Sequence, residues 1–322
     1  MKRMKTTVLI PNYNGIKFIK DCLDSLLACG DYPIVIVDNG STDGSVELIE
    51  SDYSMVNLIK LDENTGFCHA VNVGLHEIKT EYVFLLNNDT VVDRDCIEIL
   101  EKRMDATNSL FSAQAKILNL YNHDLIDDCG DLYSALGWAY ARGKDKSSEK
   151  YKKESYCFAC CGAAVMYRMS ILDEIGEFDE NHFAYLEDID LGYRARIFGY
   201  RNMMVPDAVI YHAGSATSGS RHNKFKVDLS AKNNVYLIYK NMPFVQWLIN
   251  LPLLVIGFGV KMLFFIIKGM GGTYIKGLFK GIKLCLNDAK TEPRHKIKFE
   301  MSHLKDYIII QYELLINIFR RH

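Results

Sequence analysis

The chain has 322 residues, 49% apolar and 24% charged, a composition that builds a packed core and excludes a disordered chain. Its net charge of −2 hides two unlike parts: residues 1–241 hold 26 Lys and Arg against 35 Asp and Glu, whereas 242–322 hold 12 against 5. An acidic body with a basic tail points to two jobs, and no nucleic-acid partner is expected.

The N-terminal stretch "MKRMKTTVLIPNYNG" has too few apolar residues before Pro11 for a signal peptide. "TTVLI" (6–10) reads as a strand ended by Pro11, and 16–28 places Phe18, Ile19, Cys22, Leu23, Leu26 and Leu27 on one helical face. "PIVIVD" (33–38), "VNLIKL" (56–61) and "YVFLLN" (82–87) read as further strands. They are separated by helices over 44–50, with Asp43 as N-cap, and over 67–78; another helix covers 95–104. Alternation of this kind predicts an α/β fold with a mainly parallel central sheet and helices on both faces. Such sheets bind ligands at the carboxyl ends of their strands, where "PNYNG", "DNGSTDG" and "NNDT" fall. Later elements are strands at 112–118 and 162–168, a charged loop at 142–155, helices at 170–175 and 187–199, and two short strands within 202–212.

From Met242 to Val260 there is no charged residue, a length that can cross a bilayer. Gln246, Asn250, Pro252, Gly257 and Gly259 interrupt it, and whether 242–267 spans a membrane or lies on one is left open. Lys276, Lys280 and Lys283 follow on a helix that also carries Ile275, Leu278, Phe279 and Ile282, a basic face beside an apolar one suited to an anionic membrane surface. The competing expectation is a helical pair packed on the catalytic domain with its lysines solvated.

Gly-rich nucleotide fingerprints are missing: there is no G-x-G-x-x-G after the first strand, no G-x-x-x-x-G-K-[ST] and no G-x-S-x-G. The nine cysteines include a C-x-x-C-C cluster (Cys157, Cys160, Cys161) with no second pair at zinc spacing, so they read as reduced thiols. Carboxylates at strand ends stand out instead. Asp38 can accept from a base N–H or form an Asx-turn. Asp89 can face a diphosphate only through a divalent cation. Glu187, Asp188 and Asp190 open a helix; one of them can be a general base, and Asp188 and Asp190 do not share a face, so one is structural. His212 ends a strand, where a ring nitrogen can ligate a metal.

The order "VLIPNYNG", "VIVDNGSTDGS", "NTGFCHAVNVG", "FLLNNDT", "GAAVMYR", "YLEDIDLGYRARIFGY", "AVIYHAGSATS" resembles the family 2 glycosyltransferases, nearest their rhamnosyltransferase-like branch, over residues 5–241. The resemblance implies a GT-A catalytic domain over 1–241, with a nucleotide-binding half to about 105 and an acceptor-binding half over 106–241; the basic, apolar pattern beyond it reads as a helical extension over 242–322 that associates with membrane. The resemblance also implies a nucleotide-diphosphate sugar donor, a divalent metal (Mn2+ or Mg2+), inversion at the anomeric carbon, and a glycan or lipid-linked acceptor. The enzyme is expected on the cytoplasmic face of the cell membrane, with homo-oligomerisation left open. Carried over by motif, Pro11, Tyr13, Asp38, Asn64, Gly66, Phe67 and Asn72 shape the donor pocket together with Asn88 and Glu187. Asp89 and His212 are the metal ligands, and Asp188 is the catalytic base. Arg221 and Lys224 lie on a Gly/Ser-rich stretch that closes over the diphosphate. The family's metal motif is often Asp-x-Asp; here its first position is Asn87. The alternatives are a non-catalytic sugar-nucleotide-binding partner and a sugar-phosphate nucleotidyltransferase, although "PNYNGIKF" lacks the Gly-rich basic loop of the latter.

Overall fold

A computed structural model describes residues 4–214, 223–291 and 295–320. The first half alternates as the sequence predicts: β1 (Thr6–Asn12), α1 (Ile19–Cys29), β2 (Ile34–Asn39), α2 (Ser45–Asp52), β3 (Asn57–Leu61), α3 (Phe67–Leu75) and β4 (Tyr82–Leu86). β1 pairs in parallel with β2 and β4, and β2 with β3. Side chains alternate across the sheet. Val8, Ile10 and Ile36 pack with Ile19, Leu23 and Leu26 of α1, while Leu9, Val35 and Val37 pack with Cys68, Val71 and Leu75 of α3 on the other face.

Pro11 does not end β1. The pairing with β4 stops at Leu9, so Pro11 faces only β2, opposite Val37, and its missing N–H breaks no ladder on the β4 side. Nor does Asp43 cap α2. Gly44 takes the cap position at φ 90°, and Asp43 accepts instead from the Ser45 amide.

The second half comprises β5 (Thr90–Val92), α4 (Cys96–Asp105), β6 (Leu110–Asn119), β7 (Asn122–Asp128), β8 (Asp131–Tyr133), β9 (Ala139–Ala141), β10 (Ser155–Cys157), β11 (Ala164–Arg168), α5 (Met169–Ile175), α6 (Glu187–Ile197) and β12 (Arg201–His212). The sheet order is β10-β12-β6-β11-β4-β1-β2-β3, with β5 on β12 and β7 on β6. Parallel pairing continues between β6 and β12, but β11 runs antiparallel to both β4 and β6. Residues 202–212 form one strand with an irregularity between Val205 and Val209 rather than two strands.

Four helices complete the chain: α7 (Lys224–Asn241), α8 (Phe244–Ile267), α9 (Gly271–Asp288) and α10 (Leu304–Ile316). Residues beyond 242 share a core with the second half of the sheet domain: Leu254, Tyr307, Ile310 and Leu314 cluster with Tyr133, Phe158, Ile189 and Tyr193. α9 lies tight on α7 because Gly277 and Gly281 face its backbone; a Cβ there would meet the Asp228 and Lys232 carbonyls at 2.5 and 2.6 Å.

One of the two spaced aspartates is structural, as the helical geometry requires. Asp190 is fully buried and accepts from Arg194 (3.0 Å), Lys240 (2.9 Å) and Asn241 (2.8 Å). Burial pushes its carboxyl up, but Lys240 and Arg194 outweigh that and hold it far below the usual range. Asp190→Ala removes the carboxylate paired with buried Arg194 and leaves Lys240 with Asp179 alone (2.7 Å), and we expect a loss of about 3 kcal/mol in urea unfolding. Because the folded carboxyl titrates below its unfolded value, the wild-type contribution is present above about pH 4 and declines as pH falls further. An unchanged unfolding midpoint in Asp190→Ala refutes the assignment.

Candidate active site

Parallel pairing brings the carboxyl ends of β1, β2 and β4 to one edge, and side-chain bonds join the loops that follow. Asn12 Nδ2 donates to Asp38 Oδ1 (2.7 Å) and Ser45 Oγ (3.0 Å), while Asn12 Oδ1 accepts from Asn88 Nδ2 (2.7 Å). A cavity of about 530 Å³ opens above them. Of the expected donor residues, Pro11, Tyr13, Asn64, Phe67, Asn88, Asp89 and His212 line it.

Four expected contacts lie elsewhere, Glu187 in a second cavity and three others as follows. Asp38 is buried behind the cavity, its other oxygen accepting from the Ser41 amide (2.9 Å); this is the Asx-turn arrangement, and Asn39 lines the wall instead. Asn72 lies within α3 and brackets a distant segment, donating to Phe178 O (2.8 Å) and accepting from Phe178 N (3.1 Å). Its amide is a tie between the two halves, because α3 turns it away from the sheet edge. Gly66 sits at φ 96°, and a Cβ there would lie 2.5 Å from the Phe183 ring, so it makes room for that ring. Arg221 lies outside the described residues. Lys224 begins α7, and Lys226, two residues on, lines the cavity.

Asp89 and His212 are 123 positions apart but adjacent by register: β5 runs antiparallel to β12 with Thr90 opposite His212. His212 Nε2 is 3.1 Å from Asp89 Oδ1, and its Nδ1 is 2.9 Å from Asp127 Oδ2. Burial lowers the imidazole, but hydrogen bonds to Asp127 and Asp89 override this and raise it to about 9. Burial also works against the Asp127 carboxylate, which His212 and Lys144 hold below the usual range. This set fits a divalent cation. Two ligands at right angles around an ion at about 2.1 Å stand about 3 Å apart, close to the Asp89–His212 separation. The Asp127 carboxylate behind Nδ1 is the outer partner that metal-bound imidazoles use to fix their tautomer.

A second cavity of about 450 Å³ adjoins the first, and Phe67, Asn87, Ala184, Tyr185 and His212 line both. It holds Asp131, Glu187 and Asp188. Glu187 therefore faces this cavity rather than the donor-side one. Asp188 accepts from the Ile189 amide (2.7 Å). Burial raises its carboxyl above the usual range, opposed by that amide and by a hydrogen bond from Asp131. Asp131 is also raised well above the usual range, by burial, by Asp128 and by Asp188 itself, so the two carboxyls titrate as a pair that shares a proton. Glu187 is pushed up to about 8 by burial and by Asp188, and its Oε2 is buried without a hydrogen-bond partner. Carboxyls driven apart in this way divide acid and base roles between them.

Between the cavities runs a strained loop. Phe183, Tyr185 and Leu186 all have positive φ (65°, 71° and 68°), rare for bulky residues. Phe183, at ψ −62°, is a strained γ-turn. Asn233 of α7 holds the loop by donating to the carbonyls of His182 (2.9 Å), Ala184 (2.8 Å) and Tyr185 (2.7 Å).

Sequence reasoning missed Asn12, Asn39, Asp127, Asp131, Tyr185 and Lys226. The acidic run "IDDCGD" (126–131) carried a readable signal for two of them. Asn12 and Asn39 end β1 and β2 inside motifs placed at the strand ends, whereas Tyr185 and Lys226 sit in segments without clear periodicity. A larger cavity of about 630 Å³ among α7, α8 and α9 is walled by apolar residues, Lys296 being its one charged lining residue, and offers no acid–base chemistry.

A nucleotide-type cleft at the end of a parallel half-sheet, meeting an acid-lined second cleft at a carboxylate–imidazole corner, is the working layout of GT-A glycosyltransferases. The family model described as "Glycosyl transferase family 2" matches residues 7–176, and the chain belongs to that family. It is 32% identical over 243 residues to the teichoic acid poly(glycerol phosphate) polymerase of Staphylococcus epidermidis, covering 74% of this chain but only 31% of that protein. It is 22% identical over 239 residues to the N-acetylglucosaminyl-diphospho-decaprenol L-rhamnosyltransferase of Mycobacterium tuberculosis, covering 66% of this chain and 77% of the relative. Among solved structures, GalNAc-T7 with UDP, GalNAc and Mn2+ shares the fold at a TM-score of 0.60 and 14% identity, covering 74% of this chain and 48% of that one.

Proposed function

We propose that the enzyme moves a sugar from a nucleotide-diphosphate donor to a hydroxyl of a glycan or lipid-linked acceptor, with inversion, in cell-surface polysaccharide synthesis at the inner face of the membrane. The carrying observation is that the Asp89–His212 corner and Asp188 occupy two cavities with a common wall. Donor and acceptor bound there meet at that wall.

Asp188 takes the acceptor hydroxyl's proton as the oxygen attacks the anomeric carbon. Asp131, protonated, keeps Asp188 oriented by donating to it. The donor lies on the far side of the wall, so attack from the Asp188 side is a single displacement and inverts the centre. Asp89 and His212 would hold a divalent ion, which when bound would neutralise charge on the departing diphosphate. Asn12, Asn39 and Asn64 present neutral polar groups to the nucleotide, and Lys226 adds positive charge at the cleft. The loop 183–186, pinned by Asn233, holds donor and acceptor in register.

The names of the two relatives point to cell-wall glycopolymers and, for one, to L-rhamnose and a lipid-linked acceptor; rhamnose is accordingly the first sugar to test. The test is calorimetric titration with uridine, thymidine and guanosine diphosphate sugars with and without Mn2+ or Mg2+, followed by transfer assays. One donor should bind in an ion-dependent manner and release its nucleoside diphosphate. Binding of none removes the assignment, and pyrophosphate release from a nucleoside triphosphate replaces it with nucleotidyl transfer.

A further inference from the structure

Among the described residues, α8 alone is long and apolar enough to cross a bilayer. Its contacts forbid that placement. Gln246 accepts from the Tyr193 hydroxyl (2.8 Å), and Asn250 exchanges two hydrogen bonds with Gln311 (2.7 and 2.9 Å). The Gly257 carbonyl accepts from the Trp138 indole (3.0 Å), and a Cβ on Gly257 would lie 2.0 Å from the Leu136 carbonyl. Lys261 reaches the Gly137 carbonyl (3.4 Å). These anchors run from 246 to 261, about 22 Å of helix at 1.5 Å per residue, against the 106–241 half and against α10, which packs on that half. A spanning α8 would drag that polar body into hydrocarbon or leave its own buried amides unpaired there.

The opposite face of α8 is exposed and apolar: Leu248, Ile256, Leu263 and Ile267 point outward on one stripe. α9 packs beside α8, with the Tyr274 ring 5.2 Å from that of Phe265. Its Gly277 and Gly281 face α7, while Ile275, Phe279, Ile282 and Leu286 are exposed on a second stripe. At 100° per residue, Lys276 and Lys283 fall on one flank of that stripe. Among the described residues no carboxylate pairs with either lysine. From 242 to 287 the chain carries lysines at 261, 268, 276, 280 and 283 and no Asp or Glu.

We propose that α8 and α9 form a flat docking face on which the enzyme lies on an anionic leaflet, α8 parallel to the membrane plane rather than through it. The occupant follows from charge complementarity: apolar stripes enter the headgroup–acyl boundary while the flanking lysines meet lipid phosphates. This fixes the catalytic half against the surface, because the anchoring side of α8 is bonded directly to it. The mode of attachment rests on the membrane position proposed above, but not on the reaction catalysed.

The test uses the full chain. Flotation with vesicles containing phosphatidylglycerol should recover the protein, whereas phosphatidylcholine vesicles should not, and each of Lys276→Gln and Lys283→Gln should weaken binding roughly five-fold. Failure to bind anionic vesicles removes the membrane position altogether. For the mode, a fluorescent amino acid is placed in turn at 248, 256, 263 and 267, and quenched by lipids brominated at defined depths. A flat helix gives one shallow depth at all four sites. A spanning helix gives depths that change progressively over about 28 Å from 248 to 267, and that result overturns the in-plane arrangement while leaving membrane binding intact.

Discussion

Asp188→Asn should lower turnover by about 10²- to 10⁴-fold, the range that a positioned general base supplies, while donor binding stays within about two-fold. The substitution keeps the size and the acceptance of a hydrogen bond from the Ile189 amide, so the cavity stays intact and only the proton acceptor is lost. Turnover at the wild-type rate refutes Asp188 as base. The pH profile carries an independent sign. Asp188 is raised above the usual carboxylate range, so kcat/KM should already decline on acidification above about pH 4. Glu187 is neutral at physiological pH and ionises near pH 8, placing a second charge beside Asp188 and producing an alkaline limb. Glu187→Gln should flatten that limb and leave the acid limb in place.

Asp89→Ala and His212→Ala should each abolish ion-dependent donor binding and reduce transfer by about 10²-fold or more, several kcal/mol of charge stabilisation being at stake. Removal of divalent ions from the wild type should have the same effect, reversed by Mn2+ or Mg2+. Calorimetric titration of the ion with the donor provides a readout besides turnover. Full activity in chelator sinks the Asp89–His212 assignment. Asp127→Asn should weaken ion binding less, by about 10- to 100-fold, as expected of a partner that only orients the imidazole.

The first half of the sheet was legible because a parallel sheet has one rule: residues that follow a strand appear at its carboxyl edge. Asp89 and Pro11 needed nothing more, whereas Asn64 came from the family motif. The same rule misplaced Asp38 and Asn72, since sitting at a strand end or in a motif does not say which way a side chain turns. Asp38 turns inward to Asn12, and Asn72 turns to Phe178. Asp127 and Asp131 lie on short antiparallel strands without periodicity, and only the fold brings them to His212 and Asp188. The separation of Asp188 from Asp190 was readable, because two residues along a helix turn a side chain to the opposite side. α7 escaped notice because it is buried on several sides; polar Asn233, Asn234 and Lys240 face inward along with Leu237, so it shows no clean apolar stripe.

The bent segment at Phe183, Tyr185 and Leu186 has an evolutionary consequence. Each such backbone geometry costs of order 1–3 kcal/mol, and glycine at any of the three positions would return part of it. Selection for heat resistance alone would favour those glycines. Selection for sugar transfer would oppose them, because the rings at 183 and 185 wall the cleft and the stiff turn leads into the helix that starts at Glu187. The enzyme's thermal tolerance and its catalytic rate are thus set against each other at these three positions, and laboratory lineages evolved for one should lose the other there first.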